Sequence, residues 1–281
     1  MMQSMRVIAQ GSILLFLLGT LWQHETKRRG CKMNNVVEEY FEKIVEILRA
    51  IKEQEQPSLM AAAKLVAQAI EADRLVHVFG TGGHSVMGAM EVFYRAGGLV
   101  PINPLFPPGI SVIDSHPNTE RIEGYAKYVL DYYGVGNGDV LIICNVNGIN
   151  AVTIESALEG KRRGAKLIGI TSPAFSRAVP PGIPARHSSN KNLYELVDIV
   201  VDVHVPPGDA ILTIPGVGPK VAASSTFAIC FALNSICALA VKLLADRGIT
   251  PPVWVSANMP GGDEINKAYR DRYMPRIRHL Y

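Results

Sequence analysis

Three short stretches of this 281-residue chain gather groups able to hold an anion or move a proton: FGTGGHS at 79–85, NVNGIN at 145–150 and ITS at 170–172. In the first, Gly80, Gly82 and Gly83 let the backbone approach a ligand closely, and Thr81, His84 and Ser85 add side-chain donors. In the second, Asn145, Asn147 and Asn150 stand around Gly148; an amide NH₂ donates to an anionic oxygen, whereas its carbonyl repels one. Thr171 and Ser172 supply hydroxyls in the third. Each of these residue types also makes an ordinary helix N-cap, worth about 1 kcal/mol. Binding becomes the better reading only if the three turns share one edge of a fold.

Proton transfer calls for Glu, His or Lys near the reacting carbon. His84 and Glu91 are seven residues apart, which places them on one helical face as a candidate acid/base pair, although Glu91 is also spaced to pair with Arg95. DSHPNTERIEGYA (114–126) offers His116, Glu120 and Glu123; there Thr119 makes a natural N-cap and Glu120 suits a helix dipole without further function. Glu123 joins the catalytic candidates, as does His187, in PARHSSNK beside Arg186 and Lys191. His77, inside an apolar run, reads as a hydrogen-bonded core residue. No cluster demands a metal, His84 with Glu91 being the pair that could hold one. No cofactor is expected either. A dinucleotide site needs GxGxxG and an acid some 20 residues on, but Ser85 fills the sixth place and the next apolar run ends in PINPL.

The elements that would position these groups follow from the apolar pattern. Short apolar runs at 75–80, 99–105, 139–146, 165–172 and 196–205 alternate with helical patterns near 85–97, 119–133 and 150–163. Unbroken apolar strands alternating with helices predict an α/β fold, a doubly wound parallel sheet of five strands. Val36, Val37, Tyr40, Phe41, Ile44, Val45, Leu48 and Ile51 mark one apolar helical face, and a second helix restarts near Pro57, giving an N-terminal helical pair over 33–74. The sheet domain is expected over 75–220. A long apolar helix (about 221–247) and an irregular tail are expected over 221–281. Ligands of such sheets collect outside the carboxyl ends of the strands, where the three polar turns fall.

Composition excludes several classes. The net charge of +3 is concentrated in residues 1–32, with five Lys/Arg against one acid; from Met33 onward 23 basic side chains face 24 acidic ones. That leaves no clustered basic surface for nucleic acid. Cys31, Cys144, Cys230 and Cys237 form no CxxC pair, consistent with a reducing, cytoplasmic setting. The apolar lead at 7–22 is short for a bilayer span and is followed by KRRGCK; residues 1–32 read as an over-extended start or a hydrophobic leader, and the body is expected to need no membrane.

The order GTGGHS, then a polar-Gly-polar turn, then ITS resembles the SIS (sugar isomerase) domain family of phosphosugar isomerases and binding proteins. FGTGGHSVMGAMEVFYRAGGLVPINP, RIEGYAKYVL, GDVLII, RHSSNKNLYELVDIVVDVHVPPGDA and PPVWVSANMPGGDEINK are similar to a bacterial, phosphoheptose-isomerase-like branch over nearly all of 33–281. The resemblance implies binding of a phosphorylated or otherwise anionic sugar or amino sugar and aldose–ketose isomerisation. Its alternatives are a phosphosugar etherase or lyase and a non-catalytic phosphosugar sensor. It implies a homodimer or larger homo-oligomer with shared sites. It assigns Thr81, Gly82, Gly83, His84, Ser85, Thr171 and Ser172 to the sugar and its phosphate. The family's second turn reads roughly SxSGxT, so Asn145 and Asn147 stand where serines would hold the phosphate, with Gly148 and Asn150 following.

Overall fold

The computed structural model describes residues 35–113 and 115–280; the lead at 1–32 lies outside the described residues. The chain divides into two compact units, Met1–Val45 and Glu46–Tyr281. Helix α1 is recorded over residues 35–54. The second unit holds the sheet. Its elements are α2 (Gln56–Glu71), β1 (Val76–Gly80), α3 (Val86–Val92), β2 (Ile102–Pro104), α4 (Tyr125–Tyr132), β3 (Val140–Cys144), α5 (Ala151–Arg162), β4 (Lys166–Thr171), α6 (Pro173–Ala178), β5 (Ile199–Asp202), β6 (Ala210–Leu212), β7 (Val221–Ala223), α7 (Ser225–Asp246) and α8 (Gly262–Tyr273).

Five strands form one parallel sheet in the order β2-β1-β3-β4-β5, with Val76 beside both Ile102 and Val140. Successive strand side chains point to opposite faces, and this alternation builds two cores. Val76, Val78, Val140, Ile142, Cys144, Ile168 and Ile170 join α2 and α7 on one face. Phe79, Leu141, Ile143 and Leu167 join α4 and α5 on the other. A third cluster, Leu75, Val100, Trp254, Tyr273, Ile277 and Leu280, anchors the C-terminal segment. The inner strands β1 and β3 are buried throughout, so their residues are apolar on both faces apart from His77, which is hydrogen-bonded to Asn103.

By length and composition α7 could cross a bilayer, yet Ala228, Ile229, Ala232, Leu233, Ile236, Ala240 and Leu244 are buried in the first core. Its first turn is capped from a distance. Asp209 accepts the backbone amides of Ser224 (2.9 Å) and Ser225 (2.8 Å) and the Ser225 hydroxyl (2.7 Å). The β6–β7 antiparallel hairpin brings Asp209 there. Cys144 and Cys237 are buried free thiols; burial pushes both upward, Cys237 to about 12, so neither is a ready nucleophile.

α6 and the β6–β7 hairpin, whose β7 takes the start of the helix expected from about residue 221, are additional to the expected elements, and three further elements differ from expectation. α3 stops at Val92, because Phe93 is extended and Tyr94 is left-handed, turning the chain back before Gly97. The helix expected from residue 119 is a 3₁₀ turn, Thr119–Arg121, followed by a left-handed Gly124 (φ 87°), and α4 begins only at Tyr125. The tail expected to be irregular contains α8, an amphipathic helix whose Lys267 and Asp271 pair at i,i+4 and whose Asn266 is buried against Val255.

Candidate functional site

At the carboxyl edge of β1 the chain turns back on itself. A side chain on Gly80 would stand 2.1 Å from the Ser85 carbonyl oxygen, so only glycine lets this turn close onto the start of α3. Thr81 is fully buried and its hydroxyl lies 2.7 Å from that of Thr153 in the first turn of α5, locking the turn to the neighbouring element. Around Gly82 three polar atoms converge. A methyl group placed there would meet Asn145 Nδ2 at 3.0 Å, Glu120 Oε2 at 3.1 Å and Ser85 Oγ at 3.4 Å.

By sequence position Glu120 has two readings, an acid/base candidate and a helix-dipole residue. It enters from the long loop after β2, and its Oε2 accepts the Gly83 amide at 3.3 Å. Burial raises its proton affinity above the ordinary carboxylate value of 4.5, and the Gly83 amide only partly offsets this. The cleft above it, about 420 Å³, is lined by Gly83, His84, Ser111, His116, Glu120 and Arg121 among others. Next to it runs an apolar groove whose wall includes Met87, Met90, Val112 and Ile113; Ile113 is 88% exposed.

The second turn is built differently. Gly148 has φ 61°, and a side chain there would strike Thr171 Oγ1 at 2.6 Å. Asn145 Oδ1 accepts the Gly148 amide (3.0 Å), and its Nδ2 donates to Asn150 Oδ1 (3.3 Å). Asn147 Oδ1 accepts the Ile149 amide (3.1 Å), and Asn150 Nδ2 donates to the Ala185 carbonyl (3.0 Å). These amides hold the turn and the loop lying over it. Thr171 donates to the Val146 carbonyl and Ser172 to that of Val205, both fully buried. Asn150 and Ser172 occupy N-cap positions of α5 and α6, but neither side chain caps its helix.

The structure therefore brings Gly82, Gly83, His84, Ser85 and Asn145 to the edge that Glu120 faces, whereas Thr81 is buried and bonded to Thr153. It engages Asn147, Gly148, Asn150, Thr171 and Ser172 in bracing the adjacent turns. Glu91 pairs with Arg95 (3.2 Å) and accepts the amide of Asn234 on α7 (3.1 Å), while His84 lines the cleft. Glu123 and His187 meet in a separate cluster with Glu155. The sequence signal for Glu120 and Arg121 was positional: the loop carrying them leaves the carboxyl end of β2, the edge where the glycine turn lies.

A parallel sheet of this order with polar turns at its carboxyl edge is a doubly wound α/β fold, and the SIS domain family model matches residues 39–172. The chain belongs to the UPF0309 protein family. It is 38% identical over 245 residues to the UPF0309 protein of Geobacillus thermodenitrificans, covering 86% of this chain and 96% of that one. To a UPF0309 protein of Brucella canis it is 38% identical over 251 residues, covering 88% and 100%. In fold it is similar to the phosphoheptose isomerase of Neisseria gonorrhoeae, with a TM-score of 0.51 at 14% identity, covering 75% of this chain and 99% of that chain.

Proposed function

We propose that the cleft beside Gly82 and Gly83 binds a phosphorylated or otherwise anionic sugar, and that Glu120 moves the proton in an aldose–ketose isomerisation. The observation that carries this reading is the Glu120 carboxyl, held against the Gly83 amide with Asn145 Nδ2 and Ser85 Oγ around the same point. A carboxyl whose proton affinity is raised by burial suits the task. It can take a proton from the carbon next to a carbonyl and return it to the neighbouring carbon. In this reading Asn145 Nδ2 and Ser85 Oγ, both near Gly82, donate to the oxygen on which charge develops, and Arg121, His84 and His116, which line the cleft, are partners for the anion. Glu120 thus takes the role that sequence spacing offered to Glu91.

The SIS family membership supports the substrate class, and the exposed apolar row Met87, Met90, Val112 and Ile113 beside the cleft supports self-association. The test is a thermal-shift screen of phosphorylated and sulfonated sugars, followed by substrate C–H exchange in D₂O with any hit. Isomerisation predicts exchange that Glu120→Gln abolishes while binding persists. Binding without exchange would instead identify a sensor, and no shift with any anionic sugar would sink the sugar-site reading.

A further inference from the structure

Glu123, Glu155 and His187 arrive from three separate segments: the turn before α4, the fifth residue of α5, and the loop between α6 and β5. One ligand atom from each lies within 4.8 Å of the others. His187 Nε2 stands 3.8 Å from Glu123 Oε1 and 3.9 Å from Glu155 Oε1, beyond hydrogen-bonding range of either. A nitrogen and two carboxylate oxygens at this spacing can close on one ion at bond lengths of about 2.0–2.2 Å with small side-chain adjustments.

Each group is also held from behind. His187 is 9% exposed; its backbone amide donates to the Ile149 carbonyl at 2.9 Å, and its Nδ1 accepts the Ser189 amide at 3.1 Å and lies 2.7 Å from the Ser189 hydroxyl. An ion on Nε2 needs the ring proton on Nδ1, which would then donate to the Ser189 hydroxyl in place of accepting the Ser189 amide. Glu123 Oε1 accepts the Ser188 amide at 2.9 Å, and both Glu155 oxygens accept the Gly124 amide, at 2.6 and 2.8 Å. Among the described residues no Lys or Arg forms an ion pair with either carboxylate, so two negative charges converge on one buried imidazole.

We infer that Glu123, Glu155 and His187 form a binding site for a divalent first-row transition ion. One imidazole and two carboxylates suit Zn²⁺ or Mn²⁺ and leave further coordination positions for water or a ligand oxygen. The ion would tie the 179–192 loop, which lies over the second turn, to the corner between α4 and α5. This inference stands apart from the sugar reading, since it uses none of the residues around Gly82.

The experiment uses the full chain stripped with a chelator and titrated calorimetrically with ZnCl₂ and, separately, MnCl₂. One ion per chain is expected, with at least about tenfold weaker binding in both His187→Ala and Glu155→Gln. Electron paramagnetic resonance of the Mn²⁺-loaded protein labelled with ¹⁵N-histidine should show nitrogen coupling that His187→Ala removes. Circular dichroism establishes folding of each variant. If His187→Ala does not fold, Glu155→Gln decides, because its remaining oxygen still accepts the Gly124 amide. Failure of both ions to bind at stoichiometric level, or unchanged affinity in a folded variant, overturns the inference. No sugar is present in the titration, so this result is independent of any sugar screen.

Discussion

Glu120 Oε2 accepts the Gly83 amide at 3.3 Å, so a carboxylate from the loop after β2 is held against the turn after β1. Replacing it with glutamine keeps a carbonyl for the Gly83 amide and removes the group proposed to transfer the proton. Glu120→Gln is expected to lower turnover by about 10²–10⁴-fold with little change in ligand affinity. C–H exchange and calorimetric binding on the same protein check this.

The same burial has a cost that depends on pH. A carboxyl whose proton affinity rises on folding makes the native state bind more protons than the unfolded chain, so its contribution to stability falls as pH rises above the ordinary value of 4.5. Glu120→Gln should therefore melt higher than the parent at neutral pH, and the difference should close in acid. Melting curves across that range would show a constant difference if burial had no such effect.

Asp139 titrates in the opposite sense. Burial favours its neutral form, but the His77 ring, the Gly136 amide and Arg74 outweigh this and hold its carboxyl below 3.8. Asn103 Nδ2 donates to His77 Nδ1 at 3.1 Å, so Nε2 carries the hydrogen that faces Asp139 at 3.4 Å. The stabilisation is present above pH 3.8 and is lost as pH falls through the lower native value. Asp139→Asn should be less stable than the parent at neutral pH, and the two should converge in strong acid.

A single carbon tests the convergence at Gly82. Gly82→Ala needs no left-handed backbone, but its methyl would stand 3.0 Å from Asn145 Nδ2 and 3.1 Å from Glu120 Oε2. It should leave the circular dichroism spectrum intact and weaken sugar binding at least about tenfold, an effect on the order of 1.4 kcal/mol. Full affinity in a folded variant would place the ligand elsewhere.

The strands were legible because a covered parallel sheet demands apolar residues on both faces, and VLIIC satisfies that fully and VHVFG at every place but His77. The three polar turns were legible as lying on one edge for the same reason. What those turns do was not. Asn147, Thr171 and Ser172 carry the residue types that bind anions, yet their hydrogen-bonding groups close onto Ile149 in the same turn, Val146 after the neighbouring strand and Val205 after β5, and the last two partners depend on tertiary packing. TERIEG gives Glu120 a helix-start reading beside its acid/base one; the chain instead makes a short 3₁₀ turn, extends at Ile122 and turns at the left-handed Gly124. Glu155, on a helix of ordinary pattern, gained its neighbours Glu123 and His187 only through tertiary packing.

Capping of α7 by a distant hairpin should be measurable. Asp209→Ala removes the acceptor of the Ser224 and Ser225 amides and of the Ser225 hydroxyl, and is expected to cost about 1–2 kcal/mol in urea unfolding. Asp209→Asn, which retains one acceptor oxygen, should lose less.

The sheet also sets a kinetic order. Val76 pairs with Val140 and Val140 with Lys166, so each strand waits for a partner on the far side of a helix, and no hairpin can nucleate the five-stranded sheet. Such non-local pairing slows folding, and a strand as apolar as β3 stays exposed until β1 and β4 both arrive. Refolding yield should therefore fall steeply with protein concentration, with aggregation competing for the same strands that later place the glycine turn beside Glu120.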